Sequence, residues 1–327
     1  MKCFVTGASG FIGFELTKEL IKRNYKVNVM VRSELPEFKS ENLTVFKGDL
    51  SNVEIIHKGM KDCDYVFHLA AYANIWSKDK KLPYKTNVEG TKNILECALQ
   101  NKIKRVVFTS SAAVFAPSLN SEEIDEQTPF PKSYLTDYES TKLEAEMLCR
   151  DYVKKGLEVI IVNPSRVFGP GLLNKSNSVT ILIKKYIQGK WRILPGSGMS
   201  IGNYVFIDDV VNGQILALQN GVPGERYILG GTNISLKNFF SMLSHISGLK
   251  FRLYHLPYLL MMLFAQSELA IATIFGKNPM ITPAWLRRYM QNRALSSQKA
   301  IAELKYTTTP LSEGILKTII WINSISQ

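Results

Sequence analysis

The amino-acid sequence predicts an α/β fold, a doubly wound parallel sheet with a smaller C-terminal substrate lobe. Three observations predict it. Gly7, Gly10 and Gly13, spaced three apart, sit between an apolar run and an amphipathic run at the head of the chain. Strand-length apolar runs then alternate with helix-length amphipathic runs to about residue 163, a pattern that places helices on both faces of a parallel sheet. After Pro164 this regularity is lost, and Gly169-Pro170-Gly171, Pro195-Gly196-Ser197-Gly198 and Pro223-Gly224 break the chain. Residues 1–163 are therefore read as one domain, and 164–203 with 227–327 as mostly a second lobe.

Strands are expected near 2–6, 26–31, 43–47, 65–69, 105–110 and 157–162. The first, Cys3-Phe4-Val5, leads through the glycines into Glu15-Leu16-Thr17-Lys18-Glu19-Leu20-Ile21. Glycine permits φ > 0 and lets a diphosphate approach the main chain. The helix start offers unpaired N–H groups and a positive dipole end to that anion. Gly13 lets the helix pack close to the sheet. The spacing is GxxGxxG rather than GxGxxG; the alternative is a glycine-rich turn without a ligand.

The second strand ends in Val31-Arg32-Ser33, with no carboxylate before Glu34. A dinucleotide site for NAD usually places Asp or Glu there for the ribose 2′-hydroxyl. A guanidinium instead suits a 2′-phosphate, so NADP is expected, with NAD the alternative. Gly48-Asp49-Leu50 follows the third strand, where Asp49 reads as a turn former unless the resemblance described below places it on the adenine side. His68 closes the fourth strand and is read as a packing residue. Asn87 either helps order the site or caps a helix beginning at Val88.

Val106-Val107-Phe108-Thr109-Ser110-Ser111 reads as a buried strand ending in hydroxyls. Tyr138-Glu139-Ser140-Thr141-Lys142 opens a helix expected from about Tyr138 to Lys155, with Leu143, Ala145, Met147 and Leu148 as apolar positions. Residues four apart share a helix face. Lys142 therefore lies beside Tyr138, where an ammonium favours the phenolate.

Together these segments resemble the extended short-chain dehydrogenase/reductase (NAD-dependent epimerase/dehydratase) superfamily, with its Rossmann-type sheet. They are Thr6–Gly13, Gly48-Asp49-Leu50, His68-Leu69-Ala70-Ala71, Asn87–Thr91, Ser110–Phe115, Tyr138-x-x-x-Lys142, Asn163–Pro170 and Phe206-Ile207-Asp208-Asp209-Val210. The tail, Lys299-Ala300 to Tyr306 with Leu311-x-Glu313-Gly314-Ile315, resembles the dihydroflavonol-4-reductase-like group, which also includes proteins named hopanoid-associated sugar epimerases. The resemblance implies that segment 204–226 returns to the sheet domain. It implies that Gly7, Gly10, Phe11, Ile12 and Gly13 hold the cofactor, joined by Arg32, Asp49 and Leu50. Leu69, Ala70, Ala71, Asn87, Thr109, Tyr138, Lys142, Pro164 and Val167 complete that implied site.

The activity implied is reduction of a ketone or aldehyde carbonyl. Tyr138 would act as general acid, Lys142 would lower its pKa and bind the ribose, and Ser111 would hydrogen-bond the carbonyl oxygen. Three rival readings use the same fold. A nucleotide-sugar epimerase would retain its cofactor. A 4,6-dehydratase commonly carries Thr-Asp-Glu where this chain has Ser111-Ala112-Ala113. A non-catalytic NADP-sensing protein often lacks the Tyr/Lys pair. Tyr72 and Phe168 are read as substrate contacts, and Ile75, Trp76, Leu172 and Leu173 as apolar neighbours of the same pocket.

The chain has 327 residues, 46% hydrophobic and 21% charged, as globular proteins do. Its net charge of +12 suits an anionic cofactor or an anionic membrane surface. Nucleic acid is not expected, for want of a localised patch or module. No signal peptide is read at the start, and a cytoplasmic location is expected. Cys3, Cys63, Cys97 and Cys149 read as free thiols, and the four histidines lack metal-ligand spacing. The expected partner is a small-molecule carbonyl substrate, with a homodimer left open. Leu256–Phe275 is read as a pocket-covering helix. Its apolar run from Leu256 to Ala265 is short for a bilayer, and Gln266-Ser267-Glu268 interrupts it. The rival is a monotopic membrane patch flanked by Arg252 and Lys277; such contact is left open but not favoured.

Overall fold

The computed structural model describes residues 1–327 except 33, 34, 36–38, 75, 120, 121, 175, 326 and 327. Its first half runs β1 (Lys2–Thr6), α1 (Phe11–Lys22), β2 (Lys26–Val31), β3 (Leu43–Lys47), α2 (Val53–Met60), β4 (Tyr65–His68), α3 (Leu82–Tyr84), α4 (Gly90–Gln100), β5 (Arg105–Thr109), α5 (Asp137–Lys154) and β6 (Val159–Pro164). The second half runs β7 (Arg166–Phe168), α6 (Ser178–Ile187), β8 (Ile193–Pro195), β9 (Ile201–Phe206), α7 (Ile207–Asn220), β10 (Arg226–Leu229), β11 (Thr232–Ser235), α8 (Leu236–Ser247), β12 (Tyr254–Leu256), α9 (Tyr258–Phe275), α10 (Pro283–Tyr289) and α11 (Leu311–Ser324).

Seven strands form one parallel sheet in the order β10-β6-β5-β4-β1-β2-β3. Successive residues on a strand face opposite sides. Cys3 and Val5 therefore enter one core with Leu16 and Leu20 of α1 and Val211 and Ile215 of α7. Phe4 enters the other with Ile56, Ile94, Leu95 and Ala145 of α2, α4 and α5. Burial on both faces explains why these strands read as continuous apolar runs.

The chain builds outward from β1 to β3, then returns to β4 on the other side of β1. Ligands of open α/β sheets bind at such a reversal, beyond the carboxyl ends of the strands.

The seventh strand, β10, begins at 226 and extends past the expected returning segment. Its signal is weak because it is four residues long and opens on an arginine. Arg226 is nonetheless buried, its guanidinium stacked 4.8 Å from the Phe115 ring and 4.7 Å from Phe130. A three-stranded sheet, β11-β9-β7, and a two-stranded one, β12-β8, lie in the second half. The catalytic-motif helix starts one residue earlier than expected. Met147, expected inside, is 40% exposed, while Glu146 and Cys149 are buried. The helix turns a polar, partnered residue inward that periodicity alone assigns to the surface.

Candidate active site

The glycine turn and the return loop after β4 meet at the sheet reversal. Gly7 has φ of +77°, and a Cβ there would lie 2.7 Å from Ala70 N. A Cβ on Gly13 would lie 2.2 Å from Gly7 O. Both positions exclude a side chain. Gly10 caps α1 without a side-chain bond, so no side chain competes for the helix's first N–H groups. This cradle fits a dinucleotide diphosphate. Phe11, Ala8 and Leu50 are buried beside it, with Ile12, Leu69 and Ala70 partly buried.

Arg32 is exposed at the end of β2, near enough for its charge to act on Asp49. Ser51 donates to Asp49 Oδ1 from its hydroxyl at 2.6 Å and from its N–H at 2.8 Å. These bonds, aided by Arg32, hold the Asp49 carboxyl below its usual range. Its geometry is that of a turn former. Ser33 and Glu34, which frame the cofactor argument, and Ile75 lie outside the described residues.

Of the two roles expected for Asn87, ordering the site or capping a helix, the cap does not form. Asn87 sits inside a π-helical turn, Lys85–Glu89. Its Oδ1 accepts from Tyr72 N at 2.7 Å, and its Nδ2 donates to Thr141 Oγ1 at 3.0 Å. Asn87 thus straps the loop after β4 to α5, one residue before Lys142. Irregular π turns of this kind recur at functional sites.

Ser111, Tyr138 and Lys142 gather at the carboxyl ends of β5 and β6. Ser111 caps a short 3₁₀ turn, accepting from Ala113 N at 3.2 Å. Its hydroxyl also reaches the Tyr138 oxygen. Burial raises the Tyr138 pKa above its ordinary value; the Ser111 bond and the Arg288 charge oppose this, while Glu139 adds to it. Tyr138 therefore stays a phenol at neutral pH. Lys142 is buried, donates to Thr109 O at 2.7 Å, and stands 4.2 Å over the Phe108 ring. Burial pulls its pKa down to about 8, against the raising effect of Cys149 and Glu146. Thr109 O holds the Lys142 ammonium at the strand end, and the Arg288 charge also acts to lower the Tyr138 pKa.

Arg288, Arg293 and Glu139 form the part that sequence reasoning missed. Glu139 is buried and meets Arg288 Nε at 2.7 Å and Arg293 at 3.3 Å. Arg293 also donates to the carbonyls of Ala113 and Phe115 at 3.3 and 3.0 Å. Residues of the C-terminal lobe thereby fasten both the serine turn and the start of α5. The signal was at most the basic pair Arg287-Arg288, whose partner lies about 150 positions away. Asn163 supports the same turn, donating to Ser111 O at 3.1 Å and to Glu146 Oε1 at 2.7 Å.

Of the two expected substrate contacts, Phe168 lies in the core. It is 1% exposed and packs edge-on against Phe206. Tyr72 is partly exposed, but its hydroxyl donates to Trp76 O at 3.0 Å within its own loop. Val167 is buried in the core as well, and Pro164 closes β6. His68 is buried between Thr6 Oγ1 at 2.7 Å and Thr91 Oγ1 at 3.0 Å, and burial, with Lys142, lowers its pKa to about 3.

Comparison with known proteins adds four findings. The sequence model of the NAD dependent epimerase/dehydratase family matches residues 3–230. A putative dihydroflavonol 4-reductase of Synechocystis sp. is 30% identical over 98% of this chain and 94% of its own length. A 4-hydroxy-2-methyl-3-oxo-4-farnesyl-3,4-dihydroquinoline-1-oxide ketoreductase of Stigmatella aurantiaca is 30% identical over 79% of this chain and 77% of its own. Among solved structures, a Bacillus cereus UDP-glucuronic acid 4-epimerase in complex with NAD superposes with a TM-score of 0.79. That structure is 25% identical and covered in full on both sides.

Proposed function

For a chain that belongs to the NAD dependent epimerase/dehydratase family, we propose NADPH-dependent reduction of a ketone or aldehyde on a partly hydrophobic small molecule. The protein is an NAD(P)-dependent oxidoreductase of the extended short-chain dehydrogenase/reductase type. The proposal concerns direction, cofactor and substrate. The observation that supports it is the gathering of Ser111, Tyr138 and Lys142 at the carboxyl ends of β5 and β6, with burial raising the Tyr138 pKa.

When bound, the dinucleotide supplies the hydride. Gly7, Gly10 and Gly13 hold its diphosphate, and Arg32 reads the 2′-phosphate. Ser111 donates to the substrate oxygen as negative charge develops there. Tyr138 releases its proton to that oxygen; its raised pKa keeps the proton available at neutral pH. Lys142 remains an ammonium below about pH 8 and offers its remaining N–H groups to the cofactor ribose. The hydrophobic character of the substrate rests on the farnesylated ketone named for the Stigmatella relative.

Tyr138→Phe keeps the ring and deletes the proton donor. A loss of ~10²–10⁴-fold in kcat is expected, with cofactor affinity by titration unchanged. Near-normal kcat would remove Tyr138 from the proton-donor role. Epimerisation, the reaction named for the B. cereus neighbour, would employ the same three residues. Cofactor that co-purifies and survives gel filtration favours it over reduction.

A further inference from the structure

Helix α9 turns its apolar side outward. Leu259, Ile274 and Phe275 are 68%, 74% and 68% exposed, and Leu260, Leu263, Phe264 and Ile271 are each about half exposed. At 3.6 residues per turn these seven side chains fall within about 160° of arc. The opposite side, Met261, Ala265 and Ala272, is buried, with Met261 and Ala265 packed against Leu286 of α10. The expected pocket cover would point its large residues inward. This helix does the reverse, and exposed apolar faces of such extent mark docking surfaces.

The geometry points to a bilayer with anionic headgroups as the occupant, with α9 lying in the interface plane. Charge complementarity selects it. Lys250 and Arg252 precede the helix and Lys277 follows it, all exposed. Exposed Arg287 stands on α10, which packs beside α9. Lys78 Nζ comes within 3.1 Å of a Cβ position on Gly276, at the helix C-terminus. Glu268 is the sole charge within α9, and it accepts from Met280 N at 2.8 Å. An apolar strip with cations in the segments at both its ends matches acyl chains beneath phosphate headgroups. A second copy would bring two cationic rims together on chains that each carry +12.

The helix is long and apolar enough to cross a membrane, but its attachments keep it flat. Its N-terminal end follows β12, which pairs with β8 through Tyr254 and Ile193. The segment after it is tied back by Met280 N, which donates to Glu268 in the helix's second half, and one face is fixed to α10. Spanning would require all three to break. The lipid-facing helix rests on α10, the helix that carries Arg288 to Glu139 beside Tyr138. The docked surface therefore adjoins the candidate site.

Flotation of the full chain with vesicles tests the proposal without reference to turnover. Phosphatidylcholine vesicles containing about one-third phosphatidylglycerol should carry the protein up a density gradient, and phosphatidylcholine alone should carry less. The double variant Leu263→Glu/Ile274→Glu should lower flotation at least ~10-fold while keeping the wild-type circular dichroism and melting midpoint. In a second variant, Ile274→Trp, emission should shift to the blue on vesicle addition and be quenched by brominated acyl chains. Wild-type protein that stays at the bottom of the gradient overturns the proposal. So does a double variant that floats like wild type. A dimer by light scattering that this variant converts to monomer assigns the face to a protein interface and equally overturns it.

Discussion

Arg32 and His68 show how far one side chain's surroundings decide its task. Arg32 is exposed at the end of β2, near enough for its charge to act on Asp49, and in the proposed function its guanidinium would grip a 2′-phosphate. Arg32→Asp replaces that grip with repulsion, compounded by Asp49 next to it. The ratio of NADP to NAD dissociation constants should shift toward NAD by at least ~10-fold; an unchanged ratio, read by fluorescence titration, removes Arg32 from cofactor choice. His68 is the opposite case, a buried neutral imidazole whose folded pKa of about 3 lies under its ordinary 6.5. The unfolded chain binds the proton first as pH falls. The stability that depends on neutral His68 is complete above pH 6.5 and lost progressively toward pH 3. Between pH 7 and 4.5 this amounts to about 2–3 kcal/mol. His68→Gln should flatten that part of the pH profile, measured by urea midpoints at both values.

At the scale of elements, the start of α5 concentrates the most consequences. Thr136 accepts from Glu139 N, and Glu139 returns a carboxylate bond to Thr136 N at 3.1 Å, a full capping box. Tyr138 sits inside that first turn. Thr136→Ala should cost about 1 kcal/mol of stability and lower kcat severalfold, with Thr136→Ser restoring both. A melt lowered with kcat intact would separate the cap from the site. The box was readable in the sequence, since Thr136 and Glu139 are three apart. The other allegiance of Glu139, to Arg288 and Arg293, was not, because no local pattern pairs residues so distant. The same limit governs Asn87, left between ordering the site and capping a helix, and found to strap Tyr72 to Thr141. It also governs Phe168, whose place against Phe206 depends on a strand some forty residues later.

Over the whole molecule, legibility follows burial. The parallel sheet was readable because strands covered on both faces are written as apolar runs such as Val159–Val162. The C-terminal lobe was not, because β7, β8 and β12 are three residues each and lie below the length at which periodicity has meaning. For α9 the length and apolar character were legible, and its orientation was not. Inward and outward faces read alike when residues of the same kind occupy both.

The arginine fastening has a consequence in time. A ribosome delivers the sheet strands, Ser111, Tyr138 and Lys142 well before Arg288 and Arg293. Until those late residues emerge, Glu139 keeps its capping-box bonds but lacks both arginine partners, and the serine turn lacks two of its ties. The growing chain can thus complete its dinucleotide cradle while its proton donor is still loosely seated. Readiness for chemistry arrives last, written near the end of the message.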